Sequence, residues 1–317
     1  MKTRGQCGER VFYQYDDGQL IIEGTGPMWD FMLDMTEPEC CSSFDNTQWW
    51  PTPVLHVLVR SGVTRIGNGA FCCMNLRTVM LPETVTEIGC LAFAESELRQ
   101  IRLPDSLRII ESLAFYRCKS LRHVELPANI SLSTYSFAWT GLRQLQFRGK
   151  LASAGCMAFW FNSALTEVKL PPCGSLSYGL FESCGLTRAD LSESGLETLP
   201  NDLLSFCGRL ETVLLPPQVR SIGTGCFSGT GLTELVLPAT VETFHPVDVM
   251  GSKKLRQIIF LGKKAPNCSE FSSFSQKDLE LVIREDATGF DVMPWRAKRI
   301  TRLPEAELKM LERKYRI

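Results

Sequence analysis

Apolar residues return along this chain at a fixed interval. Phenylalanine occurs at intervals of 22 residues in six successive places, which are Phe71, Phe93, Phe115, Phe137, Phe159 and Phe181. Leu204, Phe227 and Val249 continue the series at intervals of 23, 23 and 22 residues. An interval of this length is typical of a solenoid, in which each repeat buries its apolar side only by packing against its neighbours. The sequence therefore predicts stacked repeats with this column of residues in their core.

A second apolar pattern, L-x-x-V-x-L-P, recurs in phase with these phenylalanines. In one copy, Val79 and Leu81 are separated by a single residue and Pro82 follows them. Alternating apolar residues predict a strand with one buried face, and proline ends such a strand because it has no amide hydrogen to donate. We therefore expect a right-handed, β-rich solenoid with one short parallel strand in each repeat.

A third pattern, V-x-x-I-G, lies between the strand and the phenylalanine. Val85, Ile88 and Gly89 form one copy, and Ala92-Phe93 follows shortly afterwards. Glycine allows a backbone turn that a side chain would obstruct. This segment is therefore predicted to be a turn that brings the phenylalanine into the interior.

Joined together, the three patterns resemble the repeat of the BspA-like leucine-rich repeat family. The joint motif L-x-x-[VI]-x-L-P-x-x-[VL]-x-x-I-G-x-x-A-F-x-x-C-x-x-L extends from about Val54 to Ile283. This family is frequent in surface and secreted proteins of bacteria and occurs in some protozoa. The resemblance implies a leucine-rich repeat solenoid.

Both ends of the chain also resemble terminal modules of that family. The turn Asp16-Asp17-Gly18 resembles part of the β-hairpin module that often precedes the repeats in bacterial members, and Trp295 resembles part of a closing repeat. A lone stack exposes its terminal core to water, so we expect a cap at each end. The predicted organisation is an amino-terminal β-hairpin capping module at 1–52, leucine-rich repeats at 53–290, and a carboxy-terminal cap with an amphipathic helix at 291–317.

The helix of the carboxy-terminal cap is predicted from the last residues of the chain. Pro304 precedes an acidic first turn, and Leu308, Leu311 and Tyr315 follow at spacings of three and four, with basic residues between them. We expect this helix to cap the last repeat. The basic run at 296–302 lacks interleaved aromatic residues in a nearly neutral chain, so nucleic acid is not an expected partner.

Side chains that flank the buried residues of each strand form columns on the exposed face of the sheet. Four arginines begin one column, and His123 lies in the next. An arginine column can receive acidic side chains, but arginine stems can also simply cover the sheet while their charged ends stay in water. The four candidates for partner binding are Arg77, Arg99, Arg122 and Arg143.

A third column becomes apolar towards the end of the solenoid, at Leu214, Val236 and Ile259. Contiguous apolar side chains on an exposed face tend to mark interaction sites, so these three residues are the first candidates for a partner site. Two alternatives remain open. Either the segment after Ile283 folds back over them, or the residues serve strand propensity.

These surfaces favour a non-catalytic protein–protein interaction scaffold that binds a protein or peptide on the sheet face. The alternative is a small-ligand or carbohydrate receptor, or an enzyme, with a site near the amino-terminal module. Trp49, Trp50 and His56 would lie at that site, because tryptophans flanking a groove can stack on sugars or cofactors. Self-assembly through uncapped ends or sheet edges is a third possibility.

Catalytic and metal-binding chemistry have little support in the sequence. The chain contains neither C-x-x-C nor a histidine pair at zinc-binding spacing. Its histidines, His56, His123 and His245, fall in different repeats, and no nucleophile with a nearby base or phosphate-binding glycine loop accompanies them. We therefore expect no catalytic residue, no metal and no cofactor.

Charge and cysteine content bear on the partners and the compartment. A net charge of −1 gives no general attraction to nucleic acid or anionic membranes, and no apolar run is long enough to span a membrane. No apolar signal segment precedes the predicted hairpin. Several of the 13 cysteines, such as Cys118, Cys184 and Cys207, occupy core positions that suit a reduced thiol. The cytoplasm is the favoured location, with secretion or surface display as the alternative if the natural start lies upstream.

Overall fold

Two parallel ladders of short strands build each part of the β-solenoid. The computed structural model describes residues 3–31, 53–268, 278–292, 295 and 299–316. The chain divides into two compact parts, Met1–Leu165 and Thr166–Ile317, which we call unit 1 and unit 2.

Unit 1 begins with an antiparallel meander. Its described strands, in chain order, are β1 (Thr3–Gly8), β2 (Val11–Asp16), β3 (Gln19–Gly24), β4 (Gly26–Pro27), β5 (His56–Val59), β6 (Val63–Ile66), β7 (Thr78–Met80), β8 (Glu87–Ile88), β9 (Ile109–Ile110), β10 (His123–Leu126), β11 (Ile130–Leu132), β12 (Gln144–Phe147) and β13 (Leu151–Ala154). The first three pair antiparallel, β1 with β2 and β2 with β3. Asp17 and Gly18 connect β2 to β3 with φ of 44° and 80°, as two-residue Asp-Gly hairpins prefer.

The first parallel ladder carries the predicted strands and joins them to the meander. β3 pairs in parallel with β5, β5 with β7, and β10 with β12. A parallel bridge links Gln100 to His123. Val57, Val79 and Val124 point into the core from this ladder and are buried. The prediction of a parallel strand with one buried face is therefore confirmed.

A second parallel ladder includes the V-x-x-I-G segments, which the sequence had suggested as turns only. Its strands in unit 1 follow the order β4, β6, β8, β9, β11 and β13. In β6, Val63 and Ile66 are both buried, and their spacing of three residues hides the alternation by which a strand is usually detected. The backbone nevertheless pairs between repeats, since the Thr86 amide donates to the Thr64 carbonyl at 2.9 Å.

The recurring phenylalanines form the core column that their spacing predicts. In unit 1 the successive ring centroids from Phe71 to Phe159 lie 5.4, 5.3, 4.8 and 5.6 Å apart, with the rings stacked. All five rings are 0 % exposed. Stacking between neighbouring repeats supplies the buried apolar contacts that no single repeat can make.

Small polar side chains follow the phenylalanine column three residues later. The Cys118 thiol donates to the Phe93 carbonyl at 3.0 Å, and the Ser252 hydroxyl donates to the Phe227 carbonyl at 2.8 Å. Cys207 likewise bonds to a backbone carbonyl of the preceding repeat. These thiols were expected to lie reduced in the core, and they also satisfy carbonyls inside the turns, where water does not reach.

Unit 2 carries the same two ladders and ends in a helix. Its described elements are β14 (Glu167–Lys169), β15 (Cys173–Leu176), β16 (Arg188–Asp190), β17 (Thr212–Leu214), β18 (Glu234–Leu237), a 3-10 helix (Pro246–Val249), β19 (Gln257–Phe260), β20 (Glu280–Arg284), β21 (Arg299–Leu303) and α1 (Glu305–Tyr315). β14, β16 and β17 pair in parallel, as do β18, β19, β20 and β21. β21 thus continues the repeat sheet past residue 290, and it includes part of the basic run at 296–302.

One carboxylate lies in the core of unit 2. Asp248 directly precedes the core-column residue Val249, at a position where four repeats carry alanine, and it is 0 % exposed. Its two carboxylate oxygens accept hydrogen bonds from the backbone amides of His245, at 2.6 Å, and Gly225, at 3.3 Å. Burial raises the pKa of Asp248 to about 7, although these two hydrogen bonds act in the opposite direction.

The terminal helix α1 has the amphipathic pattern that the sequence predicts. It follows Pro304, which has extended backbone, and it ends where Arg316 adopts a left-handed conformation with φ of 58°. Acidic residues occupy the first turn and basic residues the last, which suits the helix dipole. Leu308 and Tyr315 are buried on its apolar side, and Leu311 is partly buried. The predicted helix is confirmed.

Candidate partner-binding surfaces

The arginine column, defined as Arg77, Arg99, Arg122 and Arg143, lies on the sheet face of unit 1 as predicted. Backbone hydrogen bonds make three of its members neighbours, since the Arg122 amide donates to Arg99 at 3.1 Å and the Arg143 amide donates to Arg122 at 2.9 Å. All four residues are exposed. Adjacent repeats therefore hold like charges about 4.8 Å apart in backbone spacing, an arrangement that is unfavourable unless an anion relieves it.

The arginine column has no acidic partner within the described part of the chain. No carboxylate oxygen of a described residue lies within 4.0 Å of any of its guanidinium groups, whereas nearby Arg102 pairs with Glu83 at 3.4 Å. Arg122 donates to the Gly141 carbonyl at 3.1 Å. The positive charge of the column is thus left for solvent or a ligand.

His123 lies beside the arginine column and is partly buried. It sits between Gln100 and Gln144 in the ladder. Its Nδ1 atom is buried and has no hydrogen-bond partner in the structure. A buried polar atom without a partner is uncommon in folded proteins, and because this nitrogen is shielded from solvent, a ligand on the sheet face would meet the exposed part of the imidazole and not Nδ1.

An apolar column lies at the other side of the same face. Ile21, Leu58 and Met80 occupy equivalent positions on β3, β5 and β7. Met80 is 66 % exposed, and the other two side chains are half-buried. The open face of unit 1 therefore combines positive charge with an apolar margin.

The apolar candidates in unit 2 require a correction. Leu214, Val236 and Ile259 were expected to lie open to a partner, but they are only 3, 4 and 3 % exposed. The apolar side of α1 packs on them through Leu308 and Tyr315. Of the two alternatives, the structure shows the one in which the segment after Ile283 folds back over the face. We call Leu214, Val236, Ile259 and Val282 the covered patch.

Polar contacts at the carboxy-terminal end of α1 were not foreseen from the sequence. The Tyr315 hydroxyl donates to Glu234, and the Lys314 ammonium lies 3.0 Å from the same carboxylate. Burial acts to raise the pKa of Glu234, but the hydrogen bonds from Tyr315 and Lys314 outweigh it and lower that pKa below its usual value. The signal available in the sequence was the basic end of the helix and the acidic residues in the sheet columns.

Aromatic side chains also cluster on the turns of unit 1, where the sequence had singled out no site. Trp139 stacks on Phe161 with ring centroids 4.4 Å apart, and the Arg117 guanidinium lies 5.6 Å from the Trp139 ring. Because these rings pack against one another, their faces are largely engaged within the cluster.

The alternative site near the amino-terminal module is only partly described. Trp49 and Trp50 lie outside the described residues. His56 is exposed, and its Nδ1 atom lies 2.7 Å from the Thr78 hydroxyl. A cavity of about 480 Å³ beside β1 and β2 is lined by Arg4, Gly5, Gln6, Phe12, Tyr13, Gln14 and Glu23.

The geometry also bears on metal binding and on nucleophilic chemistry. Among the described residues, no group of three or more His, Cys, Asp or Glu side chains is placed to hold a metal ion. Burial raises the pKa of the Cys118 and Cys207 thiols to about 12, so neither forms the thiolate that nucleophilic chemistry needs.

The redox state of the cysteines differs in one place from expectation. Cys118, Cys184 and Cys207 are reduced and buried. Cys73, in contrast, is disulfide-bonded, so the reduced state expected of the core thiols does not extend to every cysteine. In the part of the chain that the structure describes, no helix is both long and apolar enough to cross a membrane.

The paired parallel ladders, the stacked phenylalanines and the exposed sheet columns define a leucine-rich repeat scaffold. The chain belongs to the BspA-type leucine-rich repeat family. The family profile, described as "BspA type Leucine rich repeat region", matches residues 51–160 and 131–256, in six copies. The family expected from the joint motif is confirmed, and proteins of this kind are typically non-enzymatic.

Solved structures of bacterial repeat proteins share the fold. A leucine-rich repeat protein from Bacteroides ovatus is 19 % identical over 93 % of this chain and 76 % of its own, with a TM-score of 0.62. A leucine-rich repeat protein from Eubacterium ventriosum is 18 % identical over 96 % of this chain and 85 % of its own, with a TM-score of 0.52. No curated protein matches the sequence. At these identities the likeness concerns the fold alone.

Proposed function

We propose that this protein is a non-catalytic binding scaffold whose sheet face in unit 1 holds an acidic segment of a protein or peptide. The observation that carries the proposal is the arginine column, four exposed guanidinium groups with no acidic partner among the described residues. Planar guanidinium groups bind carboxylates through paired hydrogen bonds, which makes arginine well suited to acidic ligands.

The chemistry of the partner follows from the rest of the face. Met80 is exposed beside the column and extends the apolar margin of Leu58. An acidic segment with one apolar side chain would therefore place its carboxylates on Arg99 and Arg143 and its apolar group on Met80. The partly exposed imidazole of His123 lies in the next column of the same face.

A peptide selection tests this proposal. A random twelve-residue peptide library is displayed and selected on the immobilised full chain. Enriched peptides are expected to carry several Asp or Glu residues and to lose at least about tenfold in affinity against the Arg99→Glu, Arg143→Glu variant, because each charge-assisted contact contributes about 1.5 to 3 kcal/mol. Binding should also weaken as the salt concentration rises.

The matched control reverses two arginines that lie outside the sheet face. Arg10 lies in the turn between β1 and β2, and Arg209 lies in a turn of unit 2; both are exposed. The Arg10→Glu, Arg209→Glu variant has the same net charge as the test variant, so it should keep the affinity of the wild type to within about twofold. Selected peptides that are neutral or basic, or that lose equal affinity against both variants, would contradict the proposal.

A further inference from the structure

The helix α1 lies across the sheet face of unit 2. It contacts the covered patch on four successive strands, from Leu214 on β17 to Val282 on β20. Its last residues reach β18 and β16, where Glu234 and Asp190 lie. Eleven residues of helix span about 16 Å, close to the width of four neighbouring strands. The helix is thus seated in a groove on the outward face of the sheet.

Residues of opposite charge on the groove and on α1 lie near each other at both ends of the helix. Glu305 in the first turn pairs with Lys309 of its own helix at 2.9 Å, which lowers its pKa most, and the more distant positive charges of Arg284 and Lys263 lower it further. At the other end, Glu234 receives Tyr315 and Lys314. The groove therefore selects the direction of a helix as well as its apolar side.

Asp190 adds a second negative charge at the same end. Its carboxylate accepts hydrogen bonds from the Ser192 amide at 3.1 Å and the Ser192 hydroxyl at 2.6 Å. Arg316 lies 3.9 Å from it. The side chain is held in place by its own strand end, and Arg188 of the same strand lies 4.0 Å from it.

The amino-terminal part of α1 adjoins a cavity. A cavity of about 380 Å³ lies beside its first turns, lined by Arg284, Glu285, Asp286, Leu303, Glu305 and Leu308. The residue before the helix, Pro304, makes no side-chain cap hydrogen bond. A helix of this length is marginal in water on its own, so α1 depends on the groove for its structure.

We propose that this groove is a binding site for an amphipathic helix of a partner protein, and that α1 is its intramolecular occupant. The partner helix presents apolar residues at the spacing of Leu308, Leu311 and Tyr315 and carries basic residues in its last turn. Release of α1 uncovers the apolar patch, and the partner helix covers it again. This site is separate from the arginine column and goes beyond the acidic-partner function proposed for unit 1.

Competition between the two helices makes a direct test. The probe is a fluorescein-labelled peptide with the sequence of residues 304–317. Against the wild-type chain it competes with α1, whose tethering gives it an effective concentration near the millimolar range. Against a Leu308→Ala, Tyr315→Ala variant, which weakens α1 but leaves the groove intact, the peptide is expected to bind at least tenfold more tightly than against the wild type.

Two peptide controls and one groove variant define specificity. A scrambled peptide of the same composition, and a peptide in which Arg313, Lys314 and Arg316 are replaced by Glu, are expected to lose at least tenfold in affinity. Adding Glu234→Gln to the Leu308→Ala, Tyr315→Ala variant should weaken its binding of the labelled peptide severalfold. The Lys314→Ala, Tyr315→Phe variant removes only the polar anchors of α1 and gives the same comparison if the double alanine variant does not fold.

Each outcome of these binding measurements either supports or overturns the proposal. Tighter peptide binding to the weakened variants, together with its loss in the charge-reversed peptide, supports the proposal. Equal affinity for the wild type and the weakened variants, no binding to any of them, or indifference to Glu234→Gln would overturn it. Peptides selected on the arginine column provide an independent signal, because that site lies in unit 1.

Discussion

The sheet faces of the two units meet their surroundings in different ways. In unit 1 the arginine column is exposed and Met80 stands beside it, whereas in unit 2 the helix α1 covers Leu214, Val236 and Ile259. The repeats beneath the two faces share the same strand pairing and the same buried column. The difference therefore arises from the outward residues and from the helix that covers them in unit 2, whereas the core sets the architecture of the repeats.

The largest expected effect is the loss of stability when the core beneath the open face is truncated. Phe115→Ala removes a fully buried ring from the middle of the phenylalanine column, and we expect it to lower the free energy of unfolding by about 3 to 5 kcal/mol. Phe206→Ala is the control, because Phe206 is 62 % exposed and its loss should change stability by less than about 0.5 kcal/mol. Chemical denaturation measures both. Similar losses in the two variants would show that the column is not the core.

The next largest effect is a pH-dependent change in the stability of unit 2. The folded-state pKa of Asp248 is raised to about 7 from 3.8, so its protonated form favours folding and this stability is lost as the pH rises from about 4 to 7. Between pH 5 and pH 8 the wild type should lose about 2 to 3 kcal/mol relative to Asp248→Asn, since each pKa unit corresponds to about 1.4 kcal/mol. Denaturation of both proteins at the two pH values measures the difference. Parallel pH profiles would contradict the raised pKa.

A smaller effect tests how α1 is held on the covered patch. Glu234→Gln removes the negative charge that receives Tyr315 and Lys314, and we expect about 1 kcal/mol of local destabilisation after allowance for solvent screening. Amide hydrogen exchange should become faster in α1 and remain unchanged in the phenylalanine column.

The control for this change lies on a surface that α1 does not touch. Glu242 forms an exposed pair with Arg220, with more than half of each side chain accessible to solvent. Glu242→Gln should leave exchange in α1 unchanged. If both variants accelerate α1 equally, the anchor assigned to Glu234 is wrong.

The smallest effect on stability concerns the arginine column. Arg99→Gln removes one of several neighbouring like charges that have no acidic partner in the described part of unit 1, so stability should change by no more than about 0.5 kcal/mol, towards greater stability. Thermal unfolding at low and moderate salt measures it, with the change shrinking as salt screens the repulsion. A loss of more than about 1 kcal/mol would mean that Arg99 has a structural partner and is not available for binding.

The sequence predicted the architecture because each pattern recurs in many repeats, and every copy supports the same inference. The interval between phenylalanines predicts their stacking, and the L-x-x-V-x-L-P pattern predicts which residues lie on the sheet face. Arg99, Arg122 and Arg143 lie together for that reason. The second ladder escaped prediction because Val63 and Ile66 are three residues apart, a spacing that does not identify a strand.

The burial of the apolar column beneath α1 was not predictable in the same way. The residues of the covered patch and those of α1 are separated by tens of positions and share no repeat, so only the folded chain shows that they meet. The charges of Glu234 and Lys314 are compatible with their contact but also with solvent exposure. Local pattern predicts elements, whereas the docking of one element on another depends on tertiary packing.

The central claim, an open face in unit 1 and a covered face in unit 2, is tested most directly by methionine oxidation. Ile259→Met introduces a methionine of similar volume into the covered patch. Met80 and Met250, 66 and 57 % exposed, and Met74, 5 % exposed, serve as internal standards in the same chain. The oxidation rate of each methionine in hydrogen peroxide is measured by peptide mass spectrometry. We expect position 259 to react as slowly as Met74, and a rate equal to that of Met80 would contradict the account.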